Sequence, residues 1–344
     1  METVWFVIIA FMLAAYVVLD GFDLGTGVLH LFLARNDSER RQLIRSVGPV
    51  WDGNEVWLIA TGGALVLAFP TLYASSFSGF YLPLMMVLWL LILRAIALEM
   101  RGHMPDGLWP QIWDSVFALC STLLCIFFGV AMGNVVRGVP LDETGHFFQA
   151  LWAHAEREGR ETGILDGYTL TVGATALTAL SLHGALWIQL KTTGELRARA
   201  TQAASRLWWA VLIMTAAVTS FSLSIQPQIL ANLRRSPWGL AFPLLALAGL
   251  FLIRLWLRRP RESLPFFASG AFLIGMMSSV VFGLYPYVLP ATNDLARSLT
   301  VFNSAAGRHS LSVGLLWWIP GILLAVGYFW LLYRHHAGKV SPEM

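Results

Sequence analysis

The chain has 344 residues, is 57% hydrophobic and 12% charged, and has a mean hydropathy of +0.64. A soluble domain carries about 25% charged residues, so this composition excludes a soluble globular protein and describes a polytopic membrane protein. The net charge of +3 says little about partners, and nothing in the chain points to nucleic acid.

Taken in order, nine apolar runs are long enough for a membrane-spanning helix, which needs about 20 residues. They cover 4–33, 50–73, 77–100, 112–137, 166–190, 207–226, 237–257, 265–289 and 311–333. The first run continues past residue 30 without a small-residue cleavage site, so it reads as a retained helix and not a signal peptide. The lengths, and the lack of strand-like alternation, favour helices over a barrel. The expected fold is all-α, with nine transmembrane helices as two four-helix bundles plus one additional helix. Residues 1–137 would form the first bundle, 138–165 an outer-face loop and 166–289 the second bundle. Residues 290–344 would supply a further outer loop, the ninth helix and a cytoplasmic tail. Within the first loop, 146–154 is apolar enough at Phe147, Phe148, Leu151 and Trp152 to lie along the surface as a short helix.

Lys and Arg in the loops set orientation. With the N-terminus outside, the inner segments hold 14 of them and the outer segments seven, which favours N-out and C-in. Trp51, Trp57, Trp109, Trp113, Trp208, Trp209, Trp238, Trp317 and Trp318 fall near span ends and read as an interfacial belt. Cys120 and Cys125 share one apolar run and read as packing residues, not a disulfide framework or a metal site.

Ionisable residues inside such helices are functional candidates, because a charge in hydrocarbon is costly. Asp20 and Asp23 lie three apart on one face of the first helix, and Asp52 and Glu55 share that spacing at the start of the second. Arg94 and Glu99 lie toward the inner end of the third helix, and Asp114 at the inner start of the fourth. All fall in the cytoplasmic half of one bundle, which suits proton intake from inside. Each also has a plain structural reading: Asp52 as a helix cap, Glu99 as a surface group, Arg94 and Glu99 as a static pair. Gly21 with Gly25, and Gly129 with Gly133, are GxxxG pairs that let helix backbones approach closely. His183 is the one histidine near mid-span and reads as a packed or hydrogen-bonded residue rather than a haem ligand. Gly62-Gly63 lacks the lysine of a phosphate-binding loop. No catalytic, cofactor-binding or metal-ligating residue is expected in this chain alone.

One further pattern is specific. Gly21-Phe22-Asp23-Leu24-Gly25 is followed by Trp51-Asp52-Gly53-Asn54-Glu55-Val56-Trp57-Leu58, and then by Arg35-Asn36-Asp37 and Phe77-Ser78-Gly79-Phe80-Tyr81 in their matching places. Met132-Gly133-Asn134, Thr193-Gly194-Glu195-Leu196 and Tyr285-Pro286 continue it. Together these resemble subunit II of cytochrome bd-type quinol oxidases. The resemblance implies nine helices and a heterodimer with a haem-bearing subunit I, in the bacterial inner membrane. It places haems b and d, or b only, in that partner, with quinol as the substrate of the complex. It admits a structural quinone or lipid, contacts with membrane lipids, and a small single-helix accessory subunit. The loop around 227–236 is shorter than in some members. The resemblance ties Asp23, Asp52 and Arg94 to a cytoplasmic proton route or to integrity of the complex. Asp20, Glu55, Glu99 and Asp114 join them on the physical argument. A proton-coupled secondary transporter is the alternative, but no inverted repeat or matched pair of broken helices supports it. A scaffold whose acids only fix helix register is the third reading.

Overall fold

Long apolar segments must satisfy their own backbone groups in hydrocarbon, and here they do so as helices. The computed structural model describes residues 1–104, 107–152, 163–259 and 261–341. Its helices are α1 (Glu2–Leu33), α2 (Asp37–Val47), α3 (Trp51–Ala68), α4 (Pro70–Gly79), α5 (Tyr81–Met100) and α6 (Trp109–Arg137). They continue as α7 (Gly167–Lys191), α8 (Gly194–Ile225), α9 (Pro227–Arg235), α10 (Ala241–Trp256), α11 (Ser263–Leu284) and α12 (Arg308–His335). Two short antiparallel strands, β1 (Tyr287–Leu289) and β2 (Leu299–Thr300), lie between α11 and α12.

Among the described residues, eight helices are long and apolar enough to cross a membrane. They match eight of the nine expected spans. The remaining one, expected as a single helix over 50–73, is divided. Pro70 has no N–H to continue the α3 ladder and disfavours helical geometry at the residue before it. Phe69 accordingly leaves the helix at φ −134° and ψ 66°, and α4 begins with Pro70. The polar first turn of α3, with Asp52, Asn54 and Glu55, further shortens its apolar stretch.

At one end of the molecule, the basic end, lie α2, the α5–α6 and α7–α8 turns and the C-terminal tail. The tail is fastened there. Val340 N–H donates to Lys191 O at 2.8 Å, and Gln42 Nε2 to Val340 O at 2.6 Å. At the opposite end, the loop end, residues 139–147 pack with the β1–β2 hairpin through Val139, Leu141, Phe147, Leu289 and Leu299. The expected surface helix over 146–154 is not formed over 146–152, which is non-helical; His154 lies outside the described residues, as do Glu156, Glu158 and Glu161. Trp57 and Trp208 also depart from the expected interfacial belt. Both are buried, and the Trp208 indole donates to Leu250 O at 2.7 Å.

Helix α1 runs through the middle of the packing, touching α3, α6, α7 and α11. Glycine makes this possible. A methyl group at Gly25 would lie 1.9 Å from the Leu180 carbonyl oxygen, and one at Gly184 would lie 2.2 Å from the Gly25 carbonyl carbon. Gly21 meets the same helix at the Leu180 side chain. The second pair faces α7 as well: a methyl group at Gly129 would lie 2.7 Å from Gly173 Cα, and one at Gly133 would lie 3.0 Å from Thr169 Cα. Helix α12 is attached differently. Only Leu311 and Gly314 of its 28 residues are buried, so it lies along the outside of α1 and α3. Trp5 Nε1 donates to Leu311 O at 3.0 Å, and Phe329 packs on Trp57.

The glycine contact makes a direct test. Gly25→Ala forces a methyl group against backbone, not against a flexible side chain. It should destabilise the purified protein by about 1–3 kcal/mol or more, the usual cost of overpacking. Gly62→Ala has nothing within 4 Å of the added methyl. It should be neutral or slightly stabilising, since Ala is the better helix former by about 1 kcal/mol. Thermal unfolding midpoints in one detergent compare the two, and equal midpoints would remove the close-packing role of Gly25.

Candidate functional site

The α1–α7 contact fixes one side of α1, and the carboxylates Asp20 and Asp23 are buried among its other neighbours. Asp20 and Arg94 have no solvent exposure. Arg94 Nη2 donates to Asp20 Oδ1 at 2.7 Å and to Glu55 Oε2 at 2.9 Å. One guanidinium thus joins α1, α3 and α5. Such a charge is tolerable in the interior only when paired and hydrogen-bonded. The pairing with Asp20 and Glu55 answers a question open in the sequence: Arg94 does not use Glu99, whose side chain is exposed at the end of α5.

Asp23 is buried one helical turn further along α1 and has a neutral partner. Asn54 Nδ2 donates to its Oδ2 at 2.7 Å and to the Leu19 carbonyl at 3.1 Å. Tyr333 of α12 donates to Asn54 Oδ1 at 2.7 Å. Asp52 is exposed in the first turn of α3 and caps nothing; the N-cap position is Val50. Glu55 lies one turn above Asp52, with its side chain 16% exposed. The acids therefore form a graded series from exposed Asp52, through half-buried Glu55, to buried Asp20 and Asp23. Several buried atoms along it have no protein partner: Tyr16 Oη, Asp20 Oδ2, Asp23 Oδ1, Arg94 Nε and Arg94 Nη1. Buried polar atoms call for a hydrogen-bond partner, commonly water, so this is a polar interior able to hold water, not a closed ion pair.

Asp114 belongs to a second network nearer the basic end. His30 Nε2 lies 2.6 Å from its Oδ1, Arg101 Nε donates to the same oxygen at 2.5 Å, and Arg40 Nη1 reaches Oδ2 at 3.5 Å. Arg101 also donates to Asp37 at 2.8 Å, which ties α5, α6 and α2 together. A carboxylate held by two guanidiniums is well placed to fix helices. Nearby, Glu39 of α2 accepts from the Arg35 N–H at 2.7 Å and from Arg199 Nη2 of α8 at 2.5 Å. Burial by itself would raise the Glu39 carboxyl, but the Arg35 N–H and the Arg199 guanidinium hold it below its ordinary value of 4.5.

Asn54, Tyr333, Tyr16, His30 and Arg101 are the site and network residues that sequence reasoning passed over. Asn54 stood between Asp52 and Glu55, one turn from neither face in particular. Nothing local marked Tyr333, which lies 279 residues away from its partner.

Comparison with known proteins now adds to this geometry. A family model described as cytochrome bd terminal oxidase subunit II matches residues 1–336. The chain belongs to this family. It is 30% identical over 380 residues to the cytochrome bd-I ubiquinol oxidase subunit 2 of Escherichia coli K12, covering 99% of this chain and 95% of that one. It is 29% identical over 345 residues to the cytochrome bd ubiquinol oxidase subunit 2 of Bacillus subtilis, covering 99% and 98%. In fold it is similar to a chain of the bd oxidase from Geobacillus thermodenitrificans, with a TM-score of 0.75 and 15% identity over 97% of this chain and 98% of that one. As a subunit II, the chain is part of a respiratory oxidoreductase with multiple transmembrane helices and implies a subunit I. The transporter alternative has no such support.

The family implies haems in the complex, and the histidines here can be tested against an axial-ligand role. His183 uses both ring nitrogens: Nε2 lies 3.0 Å from the Val18 carbonyl and Nδ1 2.6 Å from Ser269 Oγ. Its ring stacks on Phe266 at 4.8 Å. Ser269 Oγ also lies 2.7 Å from the Phe266 carbonyl, so both ring nitrogens of His183 are engaged in one hydrogen-bonded group with α1 and α11. His30 Nε2 pairs with Asp114, which Arg101 and Arg40 also hold, and its ring packs edge-on to Phe117 with Nδ1 buried and unpartnered. These residues do not fit a haem ligand set, and among the described residues no group of three or more His, Cys, Asp or Glu could hold a metal ion.

Two predictions follow from these pairings. Arg94→Gln leaves Asp20 buried without its cation and should cost about 3–5 kcal/mol, the usual penalty for breaking a buried pair. Asp20→Asn combined with Arg94→Gln should recover part of it. Thermal unfolding of the four proteins in a mutant cycle measures the coupling, and a coupling near zero would show that the pair is not the stabilising unit. For Glu39, a lowered folded pKa means its stabilisation is complete above the ordinary value of 4.5 and is lost as pH falls through the lower folded value. Protection factors of the α2 amides, which are corrected for intrinsic exchange, should therefore fall at acid pH, and Glu39→Gln should flatten that fall.

Proposed function

We propose that this chain scaffolds the haem-bearing subunit I of a quinol:oxygen oxidoreductase and carries protons from the cytoplasm toward its oxygen-reducing site. The observation that carries the reading is the graded series of acids. Asp52 meets solvent at the basic end, Glu55 is half-buried beside Arg94, and Asp20 and Asp23 are enclosed. An excess of Arg and Lys at that end supports its assignment to the cytoplasm, with the N-terminus outside and the C-terminus inside.

Each part of the series has a physical task. Asp52 collects protons at the mouth. Glu55 passes them inward, because one of its oxygens is tied to Arg94 and the other is left for exchange. Arg94 holds the charge balance of Asp20 and Glu55 so that a proton can arrive without stranding a bare carboxylate in a medium of low polarity. Asp23 is a buried holder, with Asp20 one turn farther from the basic end. Glu99 and Asp114 take lesser parts. Glu99 is an exposed acid at the mouth, and Asp114 keeps α5, α6 and α2 in place through Arg101. The haems, when bound in subunit I, supply electron transfer and oxygen reduction. The present chain's contribution is the proton and the scaffold, so it is not catalytic alone. Drawing protons from inside while quinol releases its own outside separates charge without a pump.

Along the chain, residues 1–137 and 166–289 carry the two sets of spans and 290–344 adds α12, while α1 and α6 pack directly on α7 across that division. A cleft of about 700 Å³ between α1, α3 and α12 is lined by Trp5, Met12, Leu67, Val313 and Trp317. Its length and apolar walls suit an acyl or isoprenoid chain of a structural lipid or quinone.

In the assembled complex, Asp23→Asn should lower quinol-driven oxygen uptake by about a hundredfold or more, the low end of what a positioned proton-transfer group contributes. Asp52→Asn should slow it less, since Glu55 stands one turn away. Haem content, read from the reduced-minus-oxidised visible spectrum, should stay near that of the parent. Unchanged uptake in both variants would make these acids structural, and loss of haem would make their role assembly.

A further inference from the structure

The proton series described above explains Asp23 as a holder but not what fixes its geometry. Asn54 is fully buried, and both of its amide N–H groups are used, on Asp23 Oδ2 at 2.7 Å and on the Leu19 carbonyl at 3.1 Å. Its carbonyl oxygen accepts from Tyr333 at 2.7 Å. This set of partners allows one amide orientation. A flipped amide would place its oxygen against the Leu19 carbonyl and the Asp23 carboxylate, both acceptors, and would give up the hydrogen bond that Tyr333 now donates to Oδ1. Asp23 is thereby made unsymmetrical. Oδ2 is held by an N–H donor, and Oδ1 is buried with no partner from the protein.

Tyr333 is tied to the other side of this contact. It lines a cavity of about 100 Å³ at the basic end, together with Arg45, Trp187, Lys191, His336 and Lys339. The C-terminal tail closes that cavity and is clamped there. Lys191 Nζ donates to His336 O at 2.6 Å, and Lys339 Nζ donates to Thr192 O at 3.1 Å and Gln189 O at 3.2 Å. Helix α12 has little other burial. The clamp and the Tyr333 contact therefore set its position against α3 at this end.

We infer that Asn54 and Tyr333 are positioning residues for Asp23, holding Oδ2 so that the proton is taken up and given up at Oδ1. The inference rests on the proton-transfer reading of Asp23. The Leu19 carbonyl sets the amide orientation and the Tyr333 hydroxyl adds a hydrogen bond that holds it. Without that hydroxyl, Asn54 can turn its oxygen toward Asp23 whenever that group is protonated, and the carboxyl is then trapped in the protonated form by its own hydrogen bond. The charged and titratable groups that bear on Asp23 are Asp20 from α1, Glu55 from α3, Arg94 from α5 and Tyr333 from α12. None of the first three hydrogen-bonds to the Asn54 side chain, so the two variants below remove no partner from the Arg94 cluster.

The test uses the assembled two-subunit complex. Infrared difference spectra identify the Asp23 carboxyl stretch as the band that Asp23→Asn removes. Tyr333→Phe keeps the ring and its packing on Phe329. It should shift that band and lower oxygen uptake by about threefold to tenfold, the factor one neutral hydrogen bond is worth, with haem content unchanged. Asn54→Leu should shift the band further and slow uptake more. If Asn54→Leu does not assemble, Tyr333→Phe carries the test alone. A Tyr333→Phe complex with the parent's band and rate overturns the inference, as does a shifted band with the parent's rate. If Asp23→Asn turns over like the parent, the proton-transfer reading itself has failed and this inference falls with it. A slow Asp23→Asn beside an unaltered Tyr333→Phe removes the positioning role alone.

Discussion

Arg94 holds a positive charge where solvent does not reach it, and much of the first half of the chain is arranged around that requirement. A guanidinium in a membrane interior needs counter-charge and hydrogen-bond acceptors within reach. Asp20 from α1 and Glu55 from α3 supply both, at 2.7 and 2.9 Å. Because each acceptor comes from a different helix, the pairing fixes the rotation of α1 and α3 about α5. It also brings Asp23 into the same interior, one turn from Asp20. The same interaction that secures the helices thus assembles the acids.

That arrangement depends on α1 being central. Gly25 and Gly184 allow α1 and α7 to touch through their backbones, and Gly129 and Gly133 seat α6 on the far part of α7. Small residues do this in membranes because apolar side chains gain nothing by leaving lipid for one another, so close backbone packing must supply the attraction. With α7 filling one side of α1, its acid-bearing face is left to α3, α5 and α12.

Polar chemistry in the chain is divided into two networks of different character. In the Asp114 network both carboxylate oxygens are paired, with His30, Arg101 and Arg40 all directed at them. It acts as a fastening between helices at the basic end. The Arg94 network is under-satisfied, with buried donors and acceptors left over along the line from Tyr16 to Asp23. Full satisfaction favours rigidity, whereas leftover polar atoms provide places for water and protons. The tail clamp at α12 adds a further fastening where burial is scarce.

Much of this was legible in the residues. Hydropathy marks the spans, the three-residue spacing of Asp20 with Asp23 and of Asp52 with Glu55 marks shared faces, and the cost of intramembrane charge marks Arg94 as significant. Those signals are local, because helix periodicity and transfer energy act over a few turns. The choice of partners was not local. Arg94 could have met Glu99, one and a half turns away in the same helix, but a side chain at that spacing points along the end of α5 toward solvent, and the acids of α1 and α3 lie nearer. Asn54 and Tyr333 became a link to Asp23 only because α12 folds back against α3, and the split at Phe69 needed the buried pocket that receives that ring as well as the proline that follows it. The sequence by itself determined which groups had to be paired in the membrane. Only the packing of distant helices decided with whom, since the paired groups come from segments far apart along the chain.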